Sequence, residues 1–452
     1  MIRRVKEWIK ARPRVHRVAR LALSLARATL PLPGGLRFAW VAAFGRGATG
    51  TDARQARHRI VMLVISEVHH DPRVERGARA LAAAGFEVHI VYPDYSGCVP
   101  GVPPMDWGPG ITFRSLPATA GAYILRLPYV LGSRLLKAAR EEPAFAYHCH
   151  DLSTCIVGLE AARRTGACCV CDFHEWYSEN VTWDAVEQRY IAHPWYVRDA
   201  YRWAERRVMR QATEVVTVSD SIARSLEAAH ENRRTVRVIR NIAPLPDQDP
   251  SAGEDLRARL GLGRESFLLL YQGGTGPSRY LEPIIDAMAQ LPEVVFVIRG
   301  PGIERAEPSY RQRARSAGVS ERVICLEPVP SARVVAETAS ADAGIWTLPD
   351  LCANFRFALP NKIFEYLAAR LPVLAAGYPE ARKIVEGYEV GLCFDPDSPD
   401  SIAHAVRRLI DDPALRARCR ANIPRCLTEN DGRAEWDKLV RLYRDLAATK
   451  RV

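Results

Sequence analysis

The sequence predicts an α/β protein built from two doubly wound domains in tandem. Short apolar runs without polar alternation recur between residues 59 and 240 and again between 267 and 394, the pattern of parallel strands covered on both faces. Stretches of helical periodicity separate the runs, so each half reads as repeated strand–helix–strand crossovers. A Pro/Asp/Gly-rich passage at 242–263, containing Ala-Pro-Leu-Pro-Asp-Gln-Asp-Pro, divides the two series as a linker. The 452 residues also exceed one typical domain.

In the first half, strands read at Arg59–Ile65, Glu87–Tyr92, Ala144–His148, Cys168–Phe173, Glu214–Ser219 and Val236–Arg240. Helices between them read at Val74–Ala84, Ser153–Thr165 and Asp220–His230. The second half restarts the alternation with strands at Phe267–Gln272, Val294–Arg299, Val323–Leu326, Ala343–Thr347, Pro372–Ala375 and Gly391–Phe394. Its helices read at Leu281–Leu291, Ala332–Ala339, Lys362–Arg370, Ala381–Glu386 and Ser401–Ile410, and Leu415–Leu427 and Ala434–Ala447 finish the chain. The expected divisions are a basic extension (1–58), a first domain (59–241), the linker (242–263), a second domain (264–430) and a closing helix (431–452) packed back on the first. Ligands of such sheets bind at the carboxyl ends of the strands, here in the crevice between domains.

The net charge of +11 belongs to one segment. Residues 1–58 hold 13 Lys and Arg against two acids, Glu7 and Asp52, so the remainder is neutral. A nucleic-acid-binding body is thereby disfavoured. Within the extension, Val15, Val18, Ala22, Leu25 and Ala26 fall on one side of a helix, and Arg17, Arg20, Ser24 and Arg27 on another. A basic amphipathic helix suits an anionic membrane surface, where each basic residue contributes roughly 1 kcal/mol. A disordered basic tail, or a helix packed on the body, is the competing explanation. The 11 cysteines are scattered apart from Cys168, Cys169 and Cys171 on one strand, and none has zinc-site spacing, so buried free thiols in a reducing compartment are expected. No 18-residue apolar run and no secretory signal is evident, which points to the cytoplasm, at the inner face of the membrane.

Two segments carry the chemistry. Pro360–Val373 reads as a helix opening with Pro and ending before Pro372, with Ile363, Phe364, Leu367 and Ala368 on its buried face. Lys362 and Glu365, three apart, share the other face near the helix start, a place for an anion and a hydroxyl-bearing neighbour. A plain surface salt bridge is the competing explanation. The strand Phe267–Gln272 runs into Gly273-Gly274-Thr275-Gly276-Pro277-Ser278-Arg279. Gly273 and Gly274 let the backbone approach a phosphate, and Arg279 can bind its oxygens bidentately. No GxxxxGK[ST] occurs, this turn is not GxGxxG, and the first strand runs into Ser66-Glu67-Val68-His69-His70 without that fingerprint, which argues against a Walker nucleotidase and a dinucleotide oxidoreductase.

Taken in order, these segments resemble the retaining glycosyltransferases of family 4, which have the GT-B fold of two Rossmann-like domains facing each other across a cleft. The resemblance covers roughly residues 59–445. Its pieces are Val-Ile-Ser and Asp-Pro-Arg-Val-Glu-Arg-Gly within 64–88, His-Asp-Leu (150–152), Cys-Asp-Phe-His-Glu (171–175), Thr-Val-Ser-Asp (217–220), Ile-Arg-Asn (239–241), the glycine turn and Pro360–Val373. It implies that Glu365 holds the ribose hydroxyls of a nucleoside-diphosphate sugar, that Arg279 meets the diphosphate, and that His174 faces the transferred sugar. It also implies transfer with retention by front-face substitution, in which the departing diphosphate helps deprotonate the acceptor, to a lipid-linked or polysaccharide acceptor. No cofactor is implied; the sugar nucleotide is a co-substrate, and no metal is required.

Two positions depart from the family pattern. Phe357 stands where the first Glu of its Glu-x7-Glu motif is expected, and Gly274 where an Arg often follows the first glycine. The second departure shifts the phosphate load onto Arg279, Lys362 and helix N–H groups. Asn354 and Asn361 are candidates for hydroxyl or phosphate contacts, and His150 and Asp151 for the acceptor cleft. His69, His70, Asp71 and Arg73 follow the first strand, where the family has an acceptor-side loop. His148 and His150 alternate on one strand face without further metal-ligand spacing, and Asp395-Pro-Asp397 reads as a turn. The rival functions are a sugar-nucleotide epimerase of the same architecture and a non-catalytic sugar-nucleotide-binding protein.

Overall fold

The computed structural model describes residues 58–65, 68, 71–94, 105–117, 128–184, 187, 189–230, 235–243, 253, 255–263, 265–330 and 333–450, with the side chains of 128–133 and 277 left aside. The basic helix read within 1–58 lies outside these residues, as do His69 and His70.

The N-terminal lobe holds β1 (Arg59–Leu63), α1 (Pro72–Ala83), β2 (Glu87–Asp94), β3 (Ile111–Pro117), α2 (Pro128–Glu141), β4 (Ala146–His150), α3 (Asp151–Thr165) and β5 (Cys168–Phe173). A hairpin of β6 (Val181–Asp184) and β7 (Arg189–Ala192) follows, then α4 (Trp195–Gln211), β8 (Glu214–Thr217), α5 (Asp220–Ala229) and β9 (Arg237–Val238). The strands form a parallel sheet in the order 3-2-1-4-5-8-9. Val61, Met62 and Leu63 are solvent-free because helices cover both faces. Asp71 caps α1, its Oδ1 accepting from the N–H groups of Arg73 and Val74 at 3.2 Å, with Pro72 in the first turn. This cap aims Arg73 and Arg76 at the carboxyl end of the sheet.

The C-terminal lobe runs α6 (Leu256–Arg259), β10 (Phe267–Gln272), α7 (Glu282–Ala287), β11 (Val294–Arg299), α8 (Ile303–Ser316), β12 (Val323–Leu326), α9 (Val334–Thr338), β13 (Ala343–Trp346), α10 (Ala353–Arg356) and α11 (Asn361–Ala368). It continues with β14 (Val373–Ala376), α12 (Pro379–Val385), β15 (Gly391–Phe394), α13 (Pro399–Asp411), α14 (Pro413–Glu429) and α15 (Gly432–Thr449). Its parallel sheet has the order 12-11-10-13-14-15, so the direction of winding changes between β10 and β13. The expected pair of doubly wound sheets is therefore present. The last helix leaves this lobe: Trp436, Leu439 and Tyr443 join the core under β1, β2 and α1. Glu435 accepts from Arg240 Nε at 2.8 Å, and Trp436 Nε1 donates to the Ile242 carbonyl at 3.1 Å.

Several expected elements shift. The strand read at Ala144–His148 runs two residues later, Ala146–His150, which makes His150 a buried strand residue. Ile111–Pro117, the β6–β7 hairpin, α2, α4 and α8 were not anticipated. Pro360 is the cap of α11 in extended conformation, not its first helical residue. Within the expected linker, α6 packs Leu256 into the C-terminal core.

Candidate active site

Strand β10 is buried along its whole length and delivers the chain to the switch point of its sheet. The chain turns there through Gly273, whose φ of +139° side-chain-bearing residues rarely adopt. A methyl group on Gly273 would stand 2.0 Å from Lys362 Cε and 2.7 Å from its Nζ. The absent side chain is therefore the room that Lys362 uses. A methyl on Gly274 would lie 3.4 Å from Arg279 Nη2, so the guanidinium rests against the next residue of the same turn. The Lys362 ammonium also lies 5.6 Å from the centroid of Tyr271. Two cations from separate elements thus flank one glycine turn, an arrangement suited to a polyanion. Burial, then the Arg279 charge, lowers Lys362 to about 8, with Glu365 opposing.

Glu365 lies one turn along α11. Among the described residues it forms no direct ion pair with Lys362, which reaches toward Gly273 instead, so the surface salt bridge considered from the sequence is not made. Burial raises the Glu365 carboxyl, opposed by Lys362 and by Arg76 of the other lobe. Arg76 is held by Asn241, whose Oδ1 accepts from its Nη1 at 2.9 Å. Sequence reasoning gave Arg76 no role; only its place one turn after Arg73 hinted at one.

Facing these groups, the N-terminal lobe gathers charge at the ends of β4 and β5. Arg73, 3 % exposed, clamps Asp172 through Nε and Nη2 at 2.8 and 2.7 Å. His174 stands between two acids, with Nδ1 3.2 Å from Asp151 and Nε2 3.6 Å from Asp172. Burial disfavours its charge, yet Asp151 and Asp172 together raise it to about 9. Asp172 carries the complement: burial works against ionisation, while Arg73 and His174 hold it well below the ordinary carboxylate range. A doubly protonated His174 makes His150 Nδ1, 3.2 Å away, the acceptor, so His150 is neutral. Burial, with His148 and His174 next to it, lowers His150 accordingly. Asp151 adopts φ +70°, uncommon for a residue with a side chain, and this turns its carboxylate to His174 and to the Tyr177 hydroxyl.

The structure corrects the expectations for His150 and Asn354 and shows which partners Asp151 takes. His150 is 2 % exposed and lies behind His174, so it does not line the cleft. Asp151 serves His174 and Tyr177 as a local partner. Asn354 is a seam residue, its Oδ1 accepting from the Trp176 N–H of the other lobe at 2.8 Å. Phe357 lies parallel to Trp176, 6.2 Å between centroids, and its carbonyl accepts from Ser219 Oγ at 2.9 Å. Asn361 opens α11, half-buried beside Lys362. His148, His150 and Asp172 present ligand atoms within 4.8 Å of one another. However, both Asp172 oxygens already accept from Arg73, and a cationic His174 is adjacent, so a further cation would meet two positive charges. Asp395 accepts from the Asp397 N–H at 3.0 Å, a turn as expected.

The His174 pairing makes stability pH-dependent. The folded state binds that proton more tightly than an unpaired His of ordinary value 6.5. Its contribution is complete below that value and is lost as pH rises through about 9. A shift of this size is worth roughly 3 kcal/mol. The stability gap between wild type and His174→Gln in urea melts is therefore expected to narrow by about that amount from pH 6 to pH 10; parallel curves would contradict the pairing.

Comparison with known proteins matches the Glycosyl transferase 4-like domain family over residues 70–241 and the Glycosyl transferases group 1 family over residues 253–425. The D-inositol 3-phosphate glycosyltransferase of Nocardiopsis dassonvillei is 26% identical over 400 residues, covering 82% of this chain and 88% of that protein. The alpha-D-kanosaminyltransferase of Streptomyces kanamyceticus is 28% identical over 265 residues, covering 54% of this chain and 64% of its own length. Among solved structures, the sucrose-phosphate synthase of Thermosynechococcus elongatus superposes with a TM-score of 0.66 at 19% identity, covering 87% of this chain and all of that one. The Anabaena HepE complex with UDP-glucose gives 0.63 at 17%, covering 86% of this chain and 99% of that one. No described helix is long and apolar enough to cross a membrane.

Proposed function

We propose that this chain, which belongs to family 4 of the glycosyltransferases and has their GT-B fold, transfers a hexose with retention to a lipid-linked or polysaccharide acceptor. That it is a glycosyltransferase using nucleotide-sugar donors follows from the family. The finer reading rests on one observation: Lys362 and Arg279 flank the Gly273-Gly274 turn at the switch point of the C-terminal sheet.

A sugar diphosphate laid over that turn meets an ammonium and a guanidinium, and its ribose reaches Glu365, a carboxylate able to accept two hydroxyl donors. The cations stabilise negative charge as the bond to the sugar breaks, the kind of preorganised electrostatics that needs no metal. Lys362 takes the place of the cation missing at Gly274. Phe357 faces Trp176 and offers no carboxylate to the sugar, so sugar hydroxyls are read by other groups, His174 among them. The 1–58 extension would hold the enzyme at the inner face of the membrane, in the cytoplasm, near such an acceptor.

The experiment is a thermal-shift panel of UDP-, GDP-, ADP- and TDP-sugars on the wild type and on Glu365→Ala. One donor is expected to add roughly 2.7 kcal/mol at 100 times its dissociation constant. Glu365→Ala should lose most of that shift while its unliganded melting temperature stays close to wild type. An undiminished shift in the variant would remove Glu365 from the site.

A further inference from the structure

The catalytic scheme above leaves one cleft carboxylate without a role. Asp172 is committed to Arg73, Asp151 to His174 and Tyr177, and Glu365 to the donor ribose. Glu175 follows His174 directly and is exposed. Its Oε2 accepts from Asn180 Nδ2 at 2.5 Å, while its Oε1 has no partner among the described residues. Asn180 itself touches the opposite lobe, 3.9 Å from Cys352 Sγ. Nearby, the Tyr190 hydroxyl of the β6–β7 hairpin donates to the Ser278 carbonyl, one residue before Arg279. Glu175 therefore sits at the seam, on the acceptor side, opposite the turn that carries the diphosphate cation.

We infer that Glu175 is a catalytic residue of the transfer, its free oxygen taking the proton of the acceptor hydroxyl. This rests on the donor site proposed above. The bond formed joins the acceptor oxygen to the anomeric carbon. The bond broken joins that carbon to the β-phosphate oxygen, which keeps the electron pair against Arg279 and Lys362. The proton passes from the acceptor oxygen to Glu175 and then to solvent. The family resemblance gives that proton to the leaving phosphate; a carboxylate fixed by Asn180 receives it without competing for the phosphate's own cations.

The surroundings suit a base. Solvent reaches Glu175, yet the protein mass around it desolvates the carboxyl, and that desolvation with the Asp151 charge raises it above the ordinary value of 4.5, with His174, Asn180 and Arg279 pulling the other way. Among the described residues, Tyr177, Tyr190 and Cys352 are further titratable groups that feel its charge. The carboxylate form is the active one, so the rate should fall as pH drops and the raised Glu175 carboxyl takes up its proton.

The test uses water as acceptor. Release of nucleoside diphosphate from UDP-, GDP-, ADP- and TDP-glucose is followed with the full chain, and the fastest donor is carried into the variants. Glu175→Gln is expected to lower kcat about 100-fold, to keep the dissociation constant of the free nucleoside diphosphate within about twofold, and to flatten the acid limb of the pH profile. Glu175→Asp should recover part of the rate together with an acid limb. A Glu175→Gln enzyme with the wild-type rate, or a slow one that keeps the acid limb, overturns the assignment and leaves the donor site standing. Release from none of the four donors by the wild type overturns the donor reading, and this inference with it.

Discussion

Replacing Lys362 with methionine is expected to lower kcat/KM for the donor by about 100- to 1000-fold, the loss of roughly 2.7–4 kcal/mol of transition-state stabilisation. Methionine keeps an unbranched stem of similar reach beside Gly273 and removes only the charge, so packing against the turn persists. The lysine acts at unusual strength because it is crowded. Burial and Arg279 bring it down to about 8, which means that at pH 8.5 a fraction of the molecules hold it neutral. A bound diphosphate favours the ammonium. Nucleotide binding by the wild type at that pH should therefore take up protons, read by calorimetry in buffers of different ionisation enthalpy. The variant should show less uptake. A methionine variant with wild-type kcat/KM would mean that the ammonium does not meet developing charge.

Gly273→Ala is expected to reproduce most of that loss with the lysine still present. Two costs arise at once. At φ +139° a side chain strains the backbone, by about 1–3 kcal/mol. The new methyl also overlaps Lys362 Cε at 2.0 Å, and only the lysine can yield, because the turn is fixed by the Gly273 N–H donating to the Arg299 carbonyl at 2.9 Å. Donor kcat/KM should fall about 100-fold. The decisive comparison is the double variant. If alanine acts by expelling Lys362, adding it to Lys362→Met costs little further activity, a strong departure from additivity. Additive losses would show that the turn matters for another reason.

Much of the C-terminal lobe could be read in advance. Phe267–Gln272, Val294–Arg299, Val323–Leu326 and Gly391–Phe394 match the structure residue for residue, because each is a bare apolar run with polar or turn residues at its ends, the first two buried along their whole length and the last two half-buried at the sheet edges. Where that contrast fades, reading fails. Ile111–Pro117 is a half-exposed edge strand with Thr112, Arg114 and Ser115 among its residues. The α8 helix carries Pro308 and a run of charges, and its core contacts are few: Ile303, Ala306, Tyr310 and Ala314. The β6–β7 hairpin is held by rings that pair across it, Trp183 on Tyr190 at 5.1 Å and Tyr190 on Phe355 of the other lobe at the same distance. Neither contact leaves a local signature.

The site divides in the same way. Lys362, Glu365, Arg279 and the glycine turn announce themselves, since phosphate chemistry calls for cations near a helix start and for backbone without side chains. What spacing could not say is which partner each takes. Lys362 and Glu365 at i,i+3 suggested an ion pair, yet the room left by Gly273 draws the lysine away. A two-residue displacement of β4 buries His150 and turns it from a cleft residue into an acceptor for His174. Asn354 and Phe357 close the seam on Trp176, a pairing between residues nearly two hundred positions apart that no local pattern encodes.

The placement of the diphosphate is best settled by a crystal structure of the chain soaked with the nucleoside diphosphate whose sugar raises the melting temperature furthest. The pyrophosphate is expected over Gly273 and Gly274, within hydrogen-bonding distance of Lys362 Nζ and Arg279, with a ribose hydroxyl on Glu365. A nucleotide bound elsewhere, or one whose phosphates point away from those two cations, would contradict it.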